Sequence, residues 1–316
     1  MISHSQNKLL WNDYSSYIKD IFGVRVQKIS VNAGFTCPNR DNLKGEGGCI
    51  YCTNKSFSPF YCSPEISIVG QLQKGISFFS EKYKSQKYLA YFQAFTNTYA
   101  NIDILKKLYY EALSVDGVEG LVIATRPDCI NKEILSLLSK IADNKYVSIE
   151  FGAESTNDET LKFINRGHTY QQTINAVELT KSFGINCGLH LILGLPGENE
   201  DDFYRHAENI SKLPLNTLKV HQMQVLKNTR LAKIYYSQPD LFIDLSLENY
   251  IRIIINFLEL LNPRIIIDRF TSESPKDMLI YPNWGGKKNF EVAHLVNSEM
   301  KKINSYQGKK YKNEIL

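Results

Sequence analysis

Short runs rich in β-branched and aromatic residues alternate along the chain with longer stretches in which apolar residues recur every three or four positions. The short runs predict strands at residues 26–31, 88–95, 121–125, 146–151, 186–193, 218–225 and 265–268. The longer stretches predict helices at residues 102–114, 133–142, 170–183, 201–211 and 247–261. Repeated strand–helix units of this length predict a parallel α/β sheet with helical crossovers, closed into a barrel or part of one.

One main domain accounts for this pattern. No stretch rich in Gly, Ser or Pro divides the interior of the chain, and no fixed-period repeat is visible. We therefore expect residues 1–22 to lead into a partial (β/α)6-type barrel at residues 23–269. Residues 270–316 are expected to form a short C-terminal extension that ends in a Lys-rich tail.

Composition narrows the class of protein. The 316 residues are 43% hydrophobic and 22% charged with a net charge of +4, which excludes a disordered chain. Six Cys are too sparse for a disulfide scaffold. No run reaches the roughly 20 apolar residues of a membrane-spanning helix, and residues 1–16 lack a signal-peptide layout. We therefore expect a cytoplasmic protein, in which clustered Cys are metal ligands or catalytic groups before they are disulfides.

Polar side chains gather where the predicted strands end. They follow successive strands and include Gln93, Arg126, Glu154, His190 and His221. In (β/α) barrels the carboxyl ends of the strands form the face that carries catalysis. One polar strand end means only that a loop begins there, but a succession of them predicts a functional face.

Three Cys follow the first predicted strand, within the segment GFTCPNRDNLKGEGGCIYC. Cys37, Cys49 and Cys52 have the spacing Cys-x11-Cys-x2-Cys, and the glycines between them let the backbone wrap closely around a bound object. Spacing alone leaves three interpretations open: a [4Fe–4S] cluster with one iron lacking a protein ligand, a zinc site completed by Cys62, or structural cysteines. The position after the first strand of a barrel favours the cluster.

This arrangement resembles the radical S-adenosylmethionine (SAM) enzymes, which hold a cluster with three Cys on the loop after the first barrel strand. The residue before the last of those Cys is usually aromatic, as Tyr51 is here. The spacing of eleven residues between the first two Cys departs from the commonest spacing in that superfamily and fits a subgroup with a lengthened loop.

Six segments identify the subgroup: GFTCPNRD, YLAYFQAFT, ATRPDC, INRGHT, HLILGLPGE and LKVHQMQVLKNT. They resemble the YhcC/YtqA-like radical SAM family, which is related to the radical-SAM domain of the Elongator catalytic subunit. The resemblance covers roughly residues 20–300, nearly the whole chain.

The resemblance implies two cofactors, a [4Fe–4S] cluster on Cys37, Cys49 and Cys52 and SAM chelated by its open iron. Reductive cleavage of SAM would then yield a 5′-deoxyadenosyl radical. The implied SAM contacts are Tyr51, Gln93, Glu154, Arg166, His190 and Gly194.

Each implied contact has its own role. Glu154 and His190 would meet the ribose, Arg166 the methionine carboxylate, and the loop at Gly194 the adenine. The segment at Gln93 would meet the amino group, although it lacks the glycines usual there. Substrate contacts are expected at the same mouth, from Arg126, Asp128, Lys219 and His221, and the first two could equally form a salt-bridged loop.

The resemblance also implies a tRNA substrate, with chemistry at C5 of the wobble uridine. The implied reaction converts 5-carboxymethylaminomethyluridine to 5-aminomethyluridine, which a downstream methyltransferase could use. With 316 residues the chain has no room for Elongator's acetyltransferase domain, so the two reactions are expected to differ. An electron donor such as flavodoxin or ferredoxin is implied as well.

Two alternatives remain open. One is a radical SAM enzyme acting on a small molecule, as in porphyrinogen-oxidising relatives, which the modest net charge favours slightly. The other is a zinc-stabilised RNA-binding protein. The C-terminal lysines, interleaved with Tyr306 and Tyr311, could hold RNA phosphates or could be a solvated tail.

Overall fold

The computed structural model describes residues 9–41, 47–53, 59–83 and 86–312. Its strands are β1 (Val26–Val31), β2 (Lys87–Phe92), β3 (Val118–Thr125), β4 (Tyr146–Glu154), β5 (Asn186–Leu193), β6 (Thr217–Gln222), β7 (Val225–Leu226), β8 (Ile266–Arg269) and β9 (Leu279–Tyr281). Seven of them form one parallel sheet in the order β1-β2-β3-β4-β5-β6-β8, and β7 pairs with β9 in a separate antiparallel ribbon. Because a parallel sheet is covered on its faces, central strands such as β2, β3 and β5 are mostly apolar.

Helices connect these strands. They are α1 (Tyr14–Phe22), α2 (Ile68–Ser80), α3 (Ile102–Leu113), α4 (Lys132–Ala142), α5 (Asp158–Phe163), α6 (Tyr170–Ser182), α7 (Glu200–Ser211), α8 (Arg230–Ser237), α9 (Leu247–Leu260) and α10 (Asn289–Lys302). Side-chain caps fix several starts: Thr169 and Asn199 each form a reciprocal capping box with the residue three positions on. In the part of the chain that the structure describes, no helix is both long and apolar enough to cross a membrane.

The main sheet curls until side chains from its two edge strands meet. Lys28 in β1 places its Nζ 2.6 Å from Oδ2 of Asp268 in β8, although these strands lie at opposite edges of the sheet. A flat sheet of seven strands would separate its edge strands by about 28 Å. The same Nζ lies 3.1 Å from Oε1 of Glu150 in the central strand β4. The sheet is therefore a curled half-barrel, and the expected partial (β/α) barrel is confirmed.

Two apolar layers stabilise the curl. The larger layer lies between the sheet and the outer helices and includes Leu105, Leu138 and Phe203, each fully buried. The smaller layer lies inside the curl, where Ile18 of α1 packs against Leu89 and neighbouring strand residues. The lead-in segment therefore contributes a helix that fills part of the barrel interior.

The predicted strands and helices are confirmed, with ends that differ by a few residues. β2 stops at Phe92 instead of 95, since Phe95 adopts a left-handed φ of +63°. The predicted strand at 218–225 divides into β6 and β7, whereas β4 continues to Glu154. Helices α1, α2, α5, α8 and α10 and strand β9 were not among the predicted elements.

The segment after α10 is docked on the barrel as far as residue 312. The backbone N–H of Gly308 donates to the carbonyl of Leu258 (2.9 Å), and the N–H of Lys310 donates to the carbonyl of Glu259 (2.7 Å). The Lys310 side chain pairs with the Glu259 carboxylate. This part of the Lys-rich end is thus held against α9, and residues 313–316 lie outside the described residues.

Candidate active site

The loop after β1 carries the three predicted cluster ligands. A turn brings the N–H of Arg40 to the carbonyl of Cys37 (2.7 Å), and a second brings the N–H of Cys52 to the carbonyl of Cys49 (3.2 Å). None of the three Cys forms a disulfide. Among the described residues, no three His, Cys, Asp or Glu side chains are arranged to hold a metal ion.

Nitrogen donors surround the sulfurs of this loop. The Nδ2 of Asn39 lies 3.4 Å from the Sγ of Cys49, and a guanidinium nitrogen of Arg166 lies 3.7 Å from the same sulfur. A guanidinium nitrogen of Arg40 lies 3.3 Å from the Sγ of Cys52. Burial and the neighbouring Cys49 raise the pKa of Cys52, and Arg40 opposes both. These donors favour thiolates, which are the ligands of iron–sulfur clusters.

Two other loops hold the cysteine loop in place. Between Cys49 and Cys52, the N–H of Ile50 donates to the carbonyl of Ile164 (3.0 Å), while the carbonyl of Ile50 accepts from the N–H of Leu231 at the start of α8 (2.9 Å). The Nδ2 of Asn165 donates to the carbonyl of Gly48 (2.8 Å). The loops after β1, β4 and β7 therefore meet at one end of the barrel, as expected for a catalytic face.

Cys62 has a hydrogen-bond partner outside the cysteine loop. Its thiol donates to the backbone carbonyl of Ser30 at 2.8 Å, and burial raises the pKa of this thiol to about 12. The geometry therefore favours a site of three Cys over the zinc interpretation.

Replacing Cys62 with Ser should leave the metal content unchanged, because a hydroxyl can donate the same hydrogen bond to Ser30. Iron analysis of the anaerobically purified variant checks this expectation. A protein that holds one zinc ion, and loses it on Cys62→Ser, would restore the four-cysteine interpretation.

Glu154 and Arg166 form a pair at the end of β4. Their side chains are 3.3 Å apart, and the same guanidinium nitrogen donates to the carbonyl of Gly152 (2.7 Å). Glu154 has a left-handed φ of +67°, a strained conformation of the kind found at functional sites. A Cβ at Gly152 would lie 2.5 Å from Oε1 of Glu154 and 2.6 Å from a guanidinium nitrogen of Arg166, so a larger residue there would displace the charged ends of this pair.

Arg126 and Asp128 pair with each other. Two guanidinium nitrogens of Arg126 meet the two carboxylate oxygens of Asp128 at 2.9 and 3.1 Å, and a third donates to the carbonyl of Arg166 (2.8 Å). Arg126 is only 2% exposed. The structure therefore contains the salt-bridged loop that the sequence left open for these two residues, and the loop supports the segment that carries Arg166.

Charged side chains meet inside the barrel below this face. Glu150 accepts from Lys28 (3.1 Å), Lys219 and His190 (2.9 Å), and Asp268 lies 3.7 Å from Lys219. Burial would raise the pKa of Glu150, but Lys219 and Lys28 outweigh it and hold the pKa well below its usual range. Burial lowers the pKa of Lys219 to about 8. Burial is also the main cause that lowers the pKa of His190. The predicted ribose contact His190 is thus anchored to this network.

The remaining predicted residues lie around the same end. The ring centroids of His221 and His190 are 5.7 Å apart, and the Nε2 of His221 is buried without a hydrogen-bond partner in the described structure. Burial lowers the pKa of His221 well below its usual range, so the ring is neutral. Gln93 accepts from Ser30 (3.4 Å), and Gly194 has a φ of +88°, with the side chain of Leu245 occupying the place of a Cβ.

A buried network joins the ends of β4 and β5 and was not predicted. The Ser155 hydroxyl donates to Glu198 (2.6 Å), the His206 Nε2 lies 3.1 Å from the same oxygen, and its Nδ1 lies 2.7 Å from the Thr156 hydroxyl. Glu198 directly follows the Gly-Leu-Pro-Gly segment. Its position next to that segment is the one sequence feature that could have indicated a role for Glu198 at the site. The network fixes the loop that follows β5.

Comparison with known proteins gives the family. The family model described as the Radical SAM superfamily matches residues 34–210, and the one described as the Radical_SAM C-terminal domain matches residues 215–302. The first match contains the cysteine loop, the Glu154–Arg166 pair and His190.

Individual relatives differ in how much of the chain they match. The protein YtqA of Bacillus subtilis is 32% identical over 306 residues, which are 97% of this chain and 94% of YtqA. The coproporphyrinogen-III oxidase-like protein HemZ of the same species is 26% identical over 230 residues, 68% of this chain and 43% of HemZ. The tRNA uridine(34) acetyltransferase of Methanocaldococcus jannaschii is 32% identical over 120 residues, 37% of this chain and 21% of that protein.

A solved structure shares the fold. Elp3 from Methanocaldococcus infernus superposes with a TM-score of 0.67 at 18% identity, covering 89% of this chain and 64% of the Elp3 chain. At this level of identity the match concerns the backbone architecture alone.

Proposed function

The chain belongs to the radical SAM superfamily, and we propose that it modifies the C5 side chain of the wobble uridine of tRNA. Radical SAM enzymes require a [4Fe–4S] cluster and SAM, and these are the cofactors of this chain. When bound, they supply radical chemistry that abstracts hydrogen from C–H bonds.

Cys37, Cys49 and Cys52 are the proposed cluster ligands. The chemistry of the loop fits this role, because Asn39, Arg40 and Arg166 place N–H donors at two of the sulfurs. Three thiolates leave one iron available to SAM.

The proposed SAM contacts are Tyr51, Gln93, Glu154, Arg166, His190 and Gly194. Arg166 is held in place by Glu154 and by the carbonyl of Gly152, and its buried Nε, which has no hydrogen-bond partner in the described structure, would donate to a carboxylate. His190 is oriented by its hydrogen bond to Glu150, which leaves its other nitrogen for the ribose.

The substrate contact with the strongest support is His221. Its Nε2 is buried and has no partner in the described structure, and an orphaned buried polar atom is costly unless a ligand satisfies it. Lys219 lies on the same strand, two residues away, and keeps its ammonium 2.8 Å from the Tyr91 hydroxyl. The amine or the carboxylate of a carboxymethylaminomethyl group would supply the hydrogen-bond partner that the Nε2 of His221 lacks.

The observation that carries the tRNA assignment is the similarity to the tRNA uridine(34) acetyltransferase. We infer that this chain converts 5-carboxymethylaminomethyluridine to 5-aminomethyluridine at the same position. Abstraction of a hydrogen atom from the carboxymethyl CH2 and return of one electron to the cluster would give an imine, and water would then break its C–N bond to release the amine and glyoxylate. A flavodoxin- or ferredoxin-type protein would supply the electron, and a methyltransferase would use the product. The similarity to HemZ favours a porphyrinogen-like small molecule as the second candidate substrate.

The test is a mass-spectrometric profile of modified nucleosides in tRNA from cells lacking the gene. We expect 5-carboxymethylaminomethyluridine to accumulate and its aminomethyl products to disappear. The wild-type gene should restore the profile, whereas Cys49→Ala should not. An unchanged profile, in cells that normally make those products, would exclude the tRNA reaction and favour the small-molecule substrate.

A further inference from the structure

The nitrogen donors around the cysteine sulfurs have a consequence for electron transfer. We propose that Asn39 and Arg40 raise the reduction potential of the iron–sulfur cluster through N–H···S hydrogen bonds to Cys49 and Cys52. This inference rests on the proposed ligand set of Cys37, Cys49 and Cys52.

The hydrogen bonds of its amide nitrogen fix the orientation of the Asn39 side chain. The side chain is fully buried, and its Nδ2 donates to the carbonyl of Asn165 (2.6 Å) while lying 3.4 Å from the Sγ of Cys49. Its Oδ1 is buried without a hydrogen-bond partner in the described structure. A flipped amide would set Oδ1 against the carbonyl oxygen of Asn165 and the sulfur, so the donor orientation is the favourable one. The site therefore keeps an N–H group of Asn39 at the Cys49 sulfur, although this orientation leaves the Oδ1 of Asn39 without a hydrogen bond.

Arg40 is oriented by the loop itself. One of its nitrogens donates to both the carbonyl (3.1 Å) and the Sγ (3.3 Å) of Cys52, and its guanidinium lies 5.8 Å from the ring centroid of Phe95. A Cβ at Gly48 would lie 3.0 Å from the Arg40 stem, so the glycine gives the side chain room to cross the loop. Although Arg40 is exposed, its guanidinium group lies against one sulfur, the Sγ of Cys52.

The sign of the effect follows from charge. Reduction by the donor protein adds one electron to a cluster whose thiolate ligands are already negative. Hydrogen bonds and a nearby cation stabilise the more negative, reduced form and make the potential less negative. Asn39 acts in a buried environment, whereas the charge of Arg40 is screened by solvent, so Asn39 should have the larger effect.

The test compares midpoint potentials of the cluster in the reconstituted full-length protein, by redox titration followed with electron paramagnetic resonance. Asn39→Leu removes the donors at similar volume and should make reduction about tenfold less favourable, a shift of 59 mV to more negative potential for one electron. Arg40→Met should shift the potential in the same direction by less, and Arg40→Lys should recover part of the shift. The control is Arg25→Met, because Arg25 is also exposed and stacked on an aromatic ring (Tyr83, 4.0 Å) but precedes β1 at the opposite end of the barrel.

The outcomes separate this inference from the proposed function. Wild-type potentials in both Asn39→Leu and Arg40→Met, at wild-type iron content, overturn the inference and leave the ligand set intact. A wild-type protein that binds no cluster overturns the proposed function instead. If the buried Asn39→Leu variant does not fold, the exposed Arg40→Met variant decides, since a potential equal to that of Arg25→Met contradicts the proposal.

Discussion

The Cys49→Ala variant is expected to lose the iron–sulfur chromophore and to cleave SAM more than about 100-fold more slowly than the wild type. Loss of groups that merely support metal ligands reduces metal affinity or activity by about 10–100-fold, and loss of a ligand should exceed that range. Cys49 is also the sulfur that receives two nitrogen donors, from Asn39 and Arg166. Iron and sulfide content and the yield of 5′-deoxyadenosine measure the two effects.

The matched control for this prediction is Cys62→Ser. Both positions lie in the connection between β1 and α2, but the Cys62 thiol is committed to the carbonyl of Ser30. The control should keep its iron and its activity, and both variants should retain the far-ultraviolet circular dichroism of the wild type. A folded Cys49→Ala protein with full iron content and normal SAM cleavage would contradict the proposed ligand set.

The strands were predictable because burial on both faces leaves a simple signature. β2, β3 and β5 are mostly apolar runs, and five of the helices between strands show regular apolar spacing. The resemblance of the cysteine loop and of the strand-end motifs to the radical SAM family then identified which end of the barrel is functional.

The unpredicted helices depart from that signature for physical reasons. Helix α2 contains two glycines, Gly70 and Gly75, which weaken a helical prediction. A Cβ at Gly75 would lie 2.4 Å from the side chain of Ile29, so close packing against β1 requires glycine there. In α10 the buried face includes Asn297, whose Oδ1 accepts from the N–H of Leu10, a partner 287 residues away. Such tertiary contacts override local propensity and leave no local pattern.

Side-chain partners at the site were also beyond prediction. Lys28, Glu150 and Lys219 stand within apolar strands, and charges at such positions indicate a polar barrel interior. Their mutual contacts depend on the curl that brings β1 to β8, which no local sequence pattern specifies. The pairing of Glu154 with Arg166 depends likewise on the left-handed turn at Glu154.

Removing the carboxylate of Glu150 is expected to destabilise the protein by about 3–5 kcal/mol, since it leaves buried charges without their partner. Glu150 is 3% exposed and accepts from Lys28, Lys219 and His190. Glu150→Ala should show the full loss and Glu150→Gln a smaller one, because the amide keeps an acceptor oxygen. Urea unfolding of the purified proteins at pH 7 measures the free energy of unfolding.

Glu119→Ala is the matched control, because Glu119 also lies near two lysines, Lys87 (3.8 Å) and Lys145 (3.4 Å), but at the surface. An exposed pair contributes about 0–1 kcal/mol, so this variant should unfold almost as the wild type does. The pH dependence gives a second check. The folded-state pKa of Glu150 is lowered, so its contribution is complete above the unfolded pKa of about 4.3 and is lost as the pH falls below that value. The stability gap between wild type and Glu150→Gln should therefore narrow as the pH falls into the acid range. Equal losses for Glu150→Ala and Glu119→Ala would mean that water enters the barrel interior and screens the buried charges.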